Sequence, residues 1–311
     1  MAFYPIAEYR PDVADLNVDY TDTIWGVLPA DGSYIPCPSL VAATKAVPWF
    51  PLGAVSVRGS SGQVFFFYGS HTGLYRLDNT TLGWVDVSRQ SGGGYGANED
   101  APWSFAAFGN FVIAVNANDD PQIFEIGVST RFRNMAGNPP RAGIVKIWGN
   151  FVCLMGLADN PNRVHWSGLD DAEWWTVGQK SCDFQDFPDG GWVQGSSEET
   201  NPIIFLQAAI YKATFVPGSD IVFSFQKIHD RRGAKSRKSI VSRGALSFYI
   251  DEGGFYQISS SGEVAGIGLE KVDRRFFASI SSSDIENIKG VIDPFQTRVY
   301  WFVPDQDGED A

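Results

Sequence analysis

The chain repeats itself. Phe108-Gly109-Asn110-Phe111-Val112-Ile113-Ala114-Val115 returns forty residues on as Trp148-Gly149-Asn150-Phe151-Val152-Cys153-Leu154-Met155. In both copies an apolar run follows a Gly-Asn pair and ends in a polar turn, NANDDPQ in the first and ADNPNR in the second. Each turn leads into a further apolar segment, 122–126 and 163–167. Weaker copies pair 64–68 with 74–77, 203–206 with 209–215, and 246–250 with 255–258, and 298–303 begins a sixth. Counted from Phe65, successive copies are 46, 40, 52, 43 and 52 residues apart.

A period of this length, with several short strands per unit, predicts an all-β fold: a β-propeller of about five to six short blades. One small sheet cannot bury both of its faces, whereas blades stacked around an axis give each face an apolar neighbour. The 33 glycines and the Asn/Asp/Pro clusters supply the turns. Trp84, Trp103, Trp148, Trp166, Trp174 and Trp175 are expected to pack between blades. The sixth copy shows one strand, so closing a ring requires the N-terminal segment or an adjacent subunit; otherwise the ring stays open. The only helix expected is short, around 283–288, where Ser or Asp can cap it.

Residues 1–52 differ from the propeller domain at 53–311. Seven of the chain's 17 prolines fall in the first 51 residues, which excludes a helix or a central strand there. Phe3, Tyr4, Tyr9, Trp25 and Tyr34 set this segment apart from disordered tails, which are poor in aromatics. It is expected to be an extended arm lying on another surface, such as a neighbouring subunit. The acidic stretch 305–310 is expected to be mobile.

With 24 Lys and Arg against 36 Asp and Glu, the net charge is −12. That disfavours a nucleic-acid coat, which needs cations for phosphate contacts, and an anionic membrane surface. No apolar run is long enough to cross a membrane as a helix, and the N-terminus does not read as a signal peptide. Cys37, Cys153 and Cys182 are too few and too scattered for a disulfide framework or a zinc knuckle, which fits assembly in a reducing compartment.

The search for chemistry yields little. There is no G-x-S-x-G elbow, and His71, His165 and His229 fall in different copies of the repeat. His165 is expected to be a packing residue. H-E-x-x-H and C-x-x-C are absent, and 116–120 is expected to be a hairpin turn rather than a calcium loop. Residues 92–97 match G-x-G-x-x-A, but Pro102 prevents the helix that a dinucleotide site requires, so a flexible inter-blade loop is expected. Asp170, Asp171, Asp189, Glu198 and Glu199 are acids at blade tips without a glycosidase signature. No catalytic residue, metal ligand or cofactor is predicted. One cluster opposes the acidic trend: Arg231, Arg232, Lys235, Arg237 and Lys238 fall within eight residues, with Gly233 expected to make the loop supple. It is a candidate loop for contacting phosphate or an acidic partner.

The runs GSHTGLYRLD, WVDVSR, WSFAAFGNFVIAVNANDDPQIFEI, NRVHWSGLDDAEWW, FQDFPDGGWVQG, RRGAKSRKSIVSRGALSFYIDEGGFYQIS and IDPFQTRVYWFVP resemble the β-propeller tail proteins of short-tailed bacteriophages, known as nozzle, hub or packaged-DNA stabilisation proteins. NVDY and GVLPADGSYIPCPSL in the arm are similar as well. The resemblance covers nearly the whole chain and rests on aromatic and glycine strand–turn units. It implies a structural virion protein without catalytic residues. Copies, commonly six, would form a homo-oligomeric ring below the portal and adaptor, enclosing the channel for DNA ejection. Partners would be the portal and adaptor, tail tip or fibre proteins, and genome DNA without sequence specificity, with no membrane. The protein would assemble in the host cytoplasm and reside in the virion tail. Family members often continue past the last strand found here. The alternative function is a propeller module that binds glycan or receptor; a polysaccharide-cleaving enzyme is a more distant third.

Overall fold

The two nearest copies of the repeat form hairpins on one plan. Gly109 and Gly149 have φ of 58° and 56°, while the following Asn110 and Asn150 are not in the positive-φ region. This is the pattern of a II′ turn, whose twist suits the strands it joins. Phe108 then pairs with Phe111, and Trp148 with Phe151.

The computed structural model describes residues 7–13, 20–30, 33–39, 41–293, 295–296 and 298–304. Four short strands come first: β1 (Glu8–Tyr9), β2 (Tyr20–Thr21), β3 (Val27–Ala30) and β4 (Ser33–Pro36). The first blade is β5 (Gly53–Arg58), β6 (Val64–Gly69), β7 (Leu74–Asp78) and β8 (Gly83–Asp86). The second is β9 (Ser104–Phe108), β10 (Phe111–Val115), β11 (Gln122–Glu125) and β12 (Arg133–Asn134). The third is β13 (Ala142–Trp148), β14 (Phe151–Leu157), β15 (Arg163–Trp166) and β16 (Asp183–Asp186). The fourth is β17 (Val193–Ser196), β18 (Ile203–Leu206), β19 (Ala209–Phe215) and β20 (Phe223–Asp230). The fifth is β21 (Val241–Arg243), β22 (Leu246–Asp251), β23 (Gly254–Ser259) and β24 (Val264–Gly266). Helices α1 (Asp273–Ser279) and α2 (Ser282–Asn287) follow, then the pair β25 (Lys289–Ile292) and β26 (Val299–Phe302). Every blade is an antiparallel sheet of four strands in sequence order. The fold is an all-β propeller, with five full blades and a two-stranded sixth repeat among the described residues.

The chain divides into two compact units, residues 43–233 and residues 1–42 with 234–311. In the first, blades one to four stack face to face. Val57, Phe67 and Leu74 of blade one meet Val112, Ala114 and Phe124 of blade two. Ile113, Val115 and Ile123 of blade two meet Val145, Val152 and Leu154 of blade three. Trp148, Phe151 and Cys153 of blade three meet Ile204, Leu206 and Phe223 of blade four. Alternate residues of β10 and β14 therefore serve opposite interfaces. That is why these strands read as continuous apolar runs and not as apolar–polar alternation. Of the six tryptophans expected between blades, Trp103, Trp148, Trp166 and Trp175 lie in these three cores. Trp84 instead packs edge-on to Tyr68 and donates to the Lys45 carbonyl at 3.2 Å. Lys45 also donates its backbone N–H to Leu82 O, so 43–51 belongs to the first unit and not to a separate arm.

In the second unit, Ile250, Phe255 and Ile288 form a small core with Phe276, Phe277 and Trp301. Helix α2 is where the sequence places it, with the Ser281 hydroxyl accepting from Asp284 N at 3.2 Å. Helix α1 was not anticipated. No neighbouring side chain caps its first turn. The Asp12 carboxylate does so from the other end of the chain, accepting from Arg274 N and Arg275 N at 2.8 Å each. The arm is held further by Arg298, which donates to Pro29 O at 2.8 Å, and by the Tyr34 hydroxyl, which accepts from Tyr9 N at 2.8 Å. Pro29 and Pro36 sit in the two-stranded sheet β3–β4, where every strand is an edge and a missing N–H is tolerated.

Candidate functional site

The basic cluster lies across the division between the two units. Arg231 and Arg232 close the first, while Lys235, Arg237 and Lys238 belong to the second. Gly233 does not loosen the loop, as the sequence had suggested. It is buried, and a Cβ there would lie 2.2 Å from Leu206 O, so glycine is required for a close backbone approach. Lys235 pairs with Glu252 at 3.5 Å, and Lys238 is engaged as well. Arg237 is half-buried in a single 3₁₀ turn, Arg237–Ser239. Burial lowers its pKa, and the nearby Glu286 partly opposes that shift.

Of the arm aromatics, Phe3 and Tyr4 lie outside the described residues, as does the acidic stretch 305–310. Tyr9 and Tyr34 are half-buried and joined by the bond given above. Trp25 is 89% exposed. In the first unit, Trp49 and Phe50 are 62% exposed each.

The glycine-rich segment 92–97 folds around a side chain. The Arg89 guanidinium lies inside it, donating to the carbonyls of Gly92, Gly93 and Gly94 at 3.3, 3.3 and 3.0 Å. It also stacks on the Tyr95 ring at 4.5 Å and pairs with Asp119 at 3.1 Å. Asp119 in turn accepts from Gly96 N at 2.7 Å. The Asn116 side chain shapes the predicted hairpin turn, accepting from Asn118 N and Asp119 N. Among the described residues, no three His, Cys, Asp or Glu side chains are placed to hold a metal ion.

His165 and Cys182 form a pair, with Cys182 Sγ 3.7 Å from His165 Nε2. Burial, with Arg163 nearby, pulls His165 down to about 4, against a smaller upward pull from Asp183. Burial pushes the Cys182 thiol up to about 11, helped by Asp183. Both shifts favour the neutral pair, the reverse of what an activated thiolate needs. His165 packs edge-on to Trp175 and Phe184. A folded pKa below the usual value means the unfolded chain binds the extra proton first. The stability from neutral His165 is complete above about pH 6.5 and is lost as pH falls towards 4. His165→Gln is expected to flatten this acid limb, by up to about 3 kcal/mol. Urea midpoints of both proteins at pH 7 and pH 4.5 measure the difference.

Three of the blade-tip acids are engaged in ion pairs: Asp171 with Lys180 at 2.9 Å, Glu198 with Lys146 at 2.9 Å, and Asp189 with Lys227. Asp170 and Glu199 line two adjoining hollows in the first unit, of about 470 and 480 Å³, which share Ala107, Ile147 and Gly149. The hollows open where the first hairpins of blades two, three and four turn. Asn110 and Asn150 line the same place, although the sequence marked them only as turn residues. The recurring Gly-Asn-Phe was the available signal.

No protein-family model and no curated protein matches the chain. Among solved structures, the chain is similar to the extracellular domain of a putative hybrid two-component system from B. thetaiotaomicron, with 11% identity and a TM-score of 0.44 over 68% of this chain and 27% of that one. It is also similar to dihydro-heme d1 dehydrogenase NirN, with 13% identity and a TM-score of 0.43 over 74% of this chain and 47% of that one. The WD40 domain of Pan2 from Neurospora crassa gives 8% identity and a TM-score of 0.41, over 65% of this chain and 61% of that one. The chain thus spans less than two thirds of each of these proteins. At these values none of them speaks to function.

Proposed function

We propose that this chain is a structural tail protein of a short-tailed bacteriophage. It is a subunit of a nozzle or hub ring below the portal and adaptor, which conducts genome DNA outwards and retains it beforehand. The sequence resemblance supports this reading, and the observation that carries it is the arm. Its base is pinned by Asp12 and Arg298, yet Trp25 is 89% exposed. Burying a tryptophan against a neighbour contributes on the order of 4 kcal/mol, so an anchored arm that presents one suits a contact between copies. The net charge of −12 supports a conduit role, because an acidic wall gives phosphates no sticking point.

Immunogold electron microscopy of particles from a producing lysate, with antibody against this chain, tests the proposal. Gold at the tail vertex is the expected result, together with a ring by native mass spectrometry that Trp25→Glu weakens. Unlabelled particles, with the chain only in the soluble fraction, overturn it.

A further inference from the structure

We infer that the paired hollows of the first unit bind a neutral, polyhydroxylated ligand: a saccharide of one or two rings. The hollows have the size of ordinary small-ligand sites. More telling is the state of the polar side chains around them. Asn110 and Asn150 are exposed, and their amide groups make no hydrogen bond among the described residues; only their backbone carbonyls are engaged, by Ile126 N and Asp170 N. The carboxylates of Asp170 and Glu199 and the hydroxyl of Thr200 are likewise without partners among the described residues. Elsewhere in this unit several such groups are used by the fold, as with Asn116, Asp119, Asp186 and Asp189. Here Asn110, Asn150 and Asp170 meet at one hollow, and Glu199 and Thr200 at the one adjoining it.

Their chemistry selects the ligand. Amides both donate and accept, carboxylates accept, and a hydroxyl does either. That set complements a ligand whose every polar group is a hydroxyl. The half-buried rings of Phe108 and Phe111 at the same rim offer apolar surface for the C–H face of a sugar. Charge rules out the obvious competitor. Lys146 is already paired with Glu198, which leaves Asp170 and Glu199 unbalanced and repels phosphate- or carboxylate-bearing ligands. The inference does not rest on the tail reading; it holds or fails on this end of the blade unit alone.

The test uses the full chain with maltose, cellobiose, lactose and chitobiose as probes, and sialyllactose as the anionic counterpart. Saturation-transfer NMR detects binding and titration calorimetry measures it. At least one neutral disaccharide is expected to bind, and more tightly than sialyllactose. Asn110→Ala/Asn150→Ala should weaken it about tenfold or more. Thr200→Trp, which fills the adjoining hollow from the blade-four hairpin, should abolish it. Unchanged thermal midpoints confirm that both variants fold. No saturation transfer from any neutral probe at about 10 mM overturns the proposal. So does binding that survives in both folded variants, or sialyllactose binding as tightly as the neutral probes.

Discussion

Trp148→Ala is expected to destabilise the protein by about 4 kcal/mol, among the costliest single truncations in the blade unit. Trp148 is completely buried, packs edge-on to Phe223 at 5.4 Å, and donates its indole N–H to the Ser196 hydroxyl at 2.9 Å. It therefore joins blades three and four by both volume and a hydrogen bond. Alanine leaves a cavity between two sheets that are each held by their own backbone ladders, so the gap cannot collapse readily. Trp148→Phe should cost about half as much, because it keeps part of the ring contact and loses the indole donor and the rest of the bicycle. Calorimetric midpoints of the two variants give the ratio. A change below about 1 kcal/mol in Trp148→Ala would mean that the blades do not depend on this contact.

Arg89→Met is expected to cost about 3 kcal/mol, more than an exposed ion pair could account for. The side chains of Arg89 and Asp119 are only 11% and 10% accessible. Removing the guanidinium leaves the Asp119 carboxylate buried without its counter-charge, and three glycine carbonyls lose their donor. It also removes the cation from the face of Tyr95, whose hydroxyl burial holds at a pKa of about 12. Adding Asp119→Asn should recover about 1 kcal/mol or more, since the neutral side chain still accepts from Gly96 N. Hydrogen exchange across 92–97 should rise sharply in the single variant and less in the double. Additive losses in the two single variants would show that the pair is not coupled.

These two residues also mark what a sequence discloses. Trp148 sits in the repeat, beside the Gly-Asn turn, and its burial between blades was legible from that position. Arg89 was not legible. Its neighbours in sequence, Gly92 to Ala97, read as a supple linker because glycines promise freedom to any local view. The partner that removes this freedom, Asp119, lies thirty residues away in the next blade. Helix α1 was missed for the same reason, since its first-turn donors are met by Asp12, 262 residues distant from Arg274. Gly233, expected to make its loop supple, is a point of close packing. In each case the deciding atom comes from a distant part of the chain.

The sequence by itself determined the all-β class, the repeat and the position of nearly every inner strand. Those features follow from what each residue does with its immediate neighbours: a glycine at positive φ, a proline without a donor, an apolar run bounded by polar turns. Only the tertiary structure decided which polar groups the fold consumes. The recurring Gly-Asn pair marks Asn110 and Asn150 as alike, but it does not say whether their amides find partners, nor does the Asp170-Asp171 pair say which carboxylate will. Stacking the blades placed three of these four side chains around one hollow, without partners among the described residues, whereas Asp171 pairs with Lys180 of its own blade. Whether a polar group is met or left open depends on distances between strands that no local rule of sequence contains.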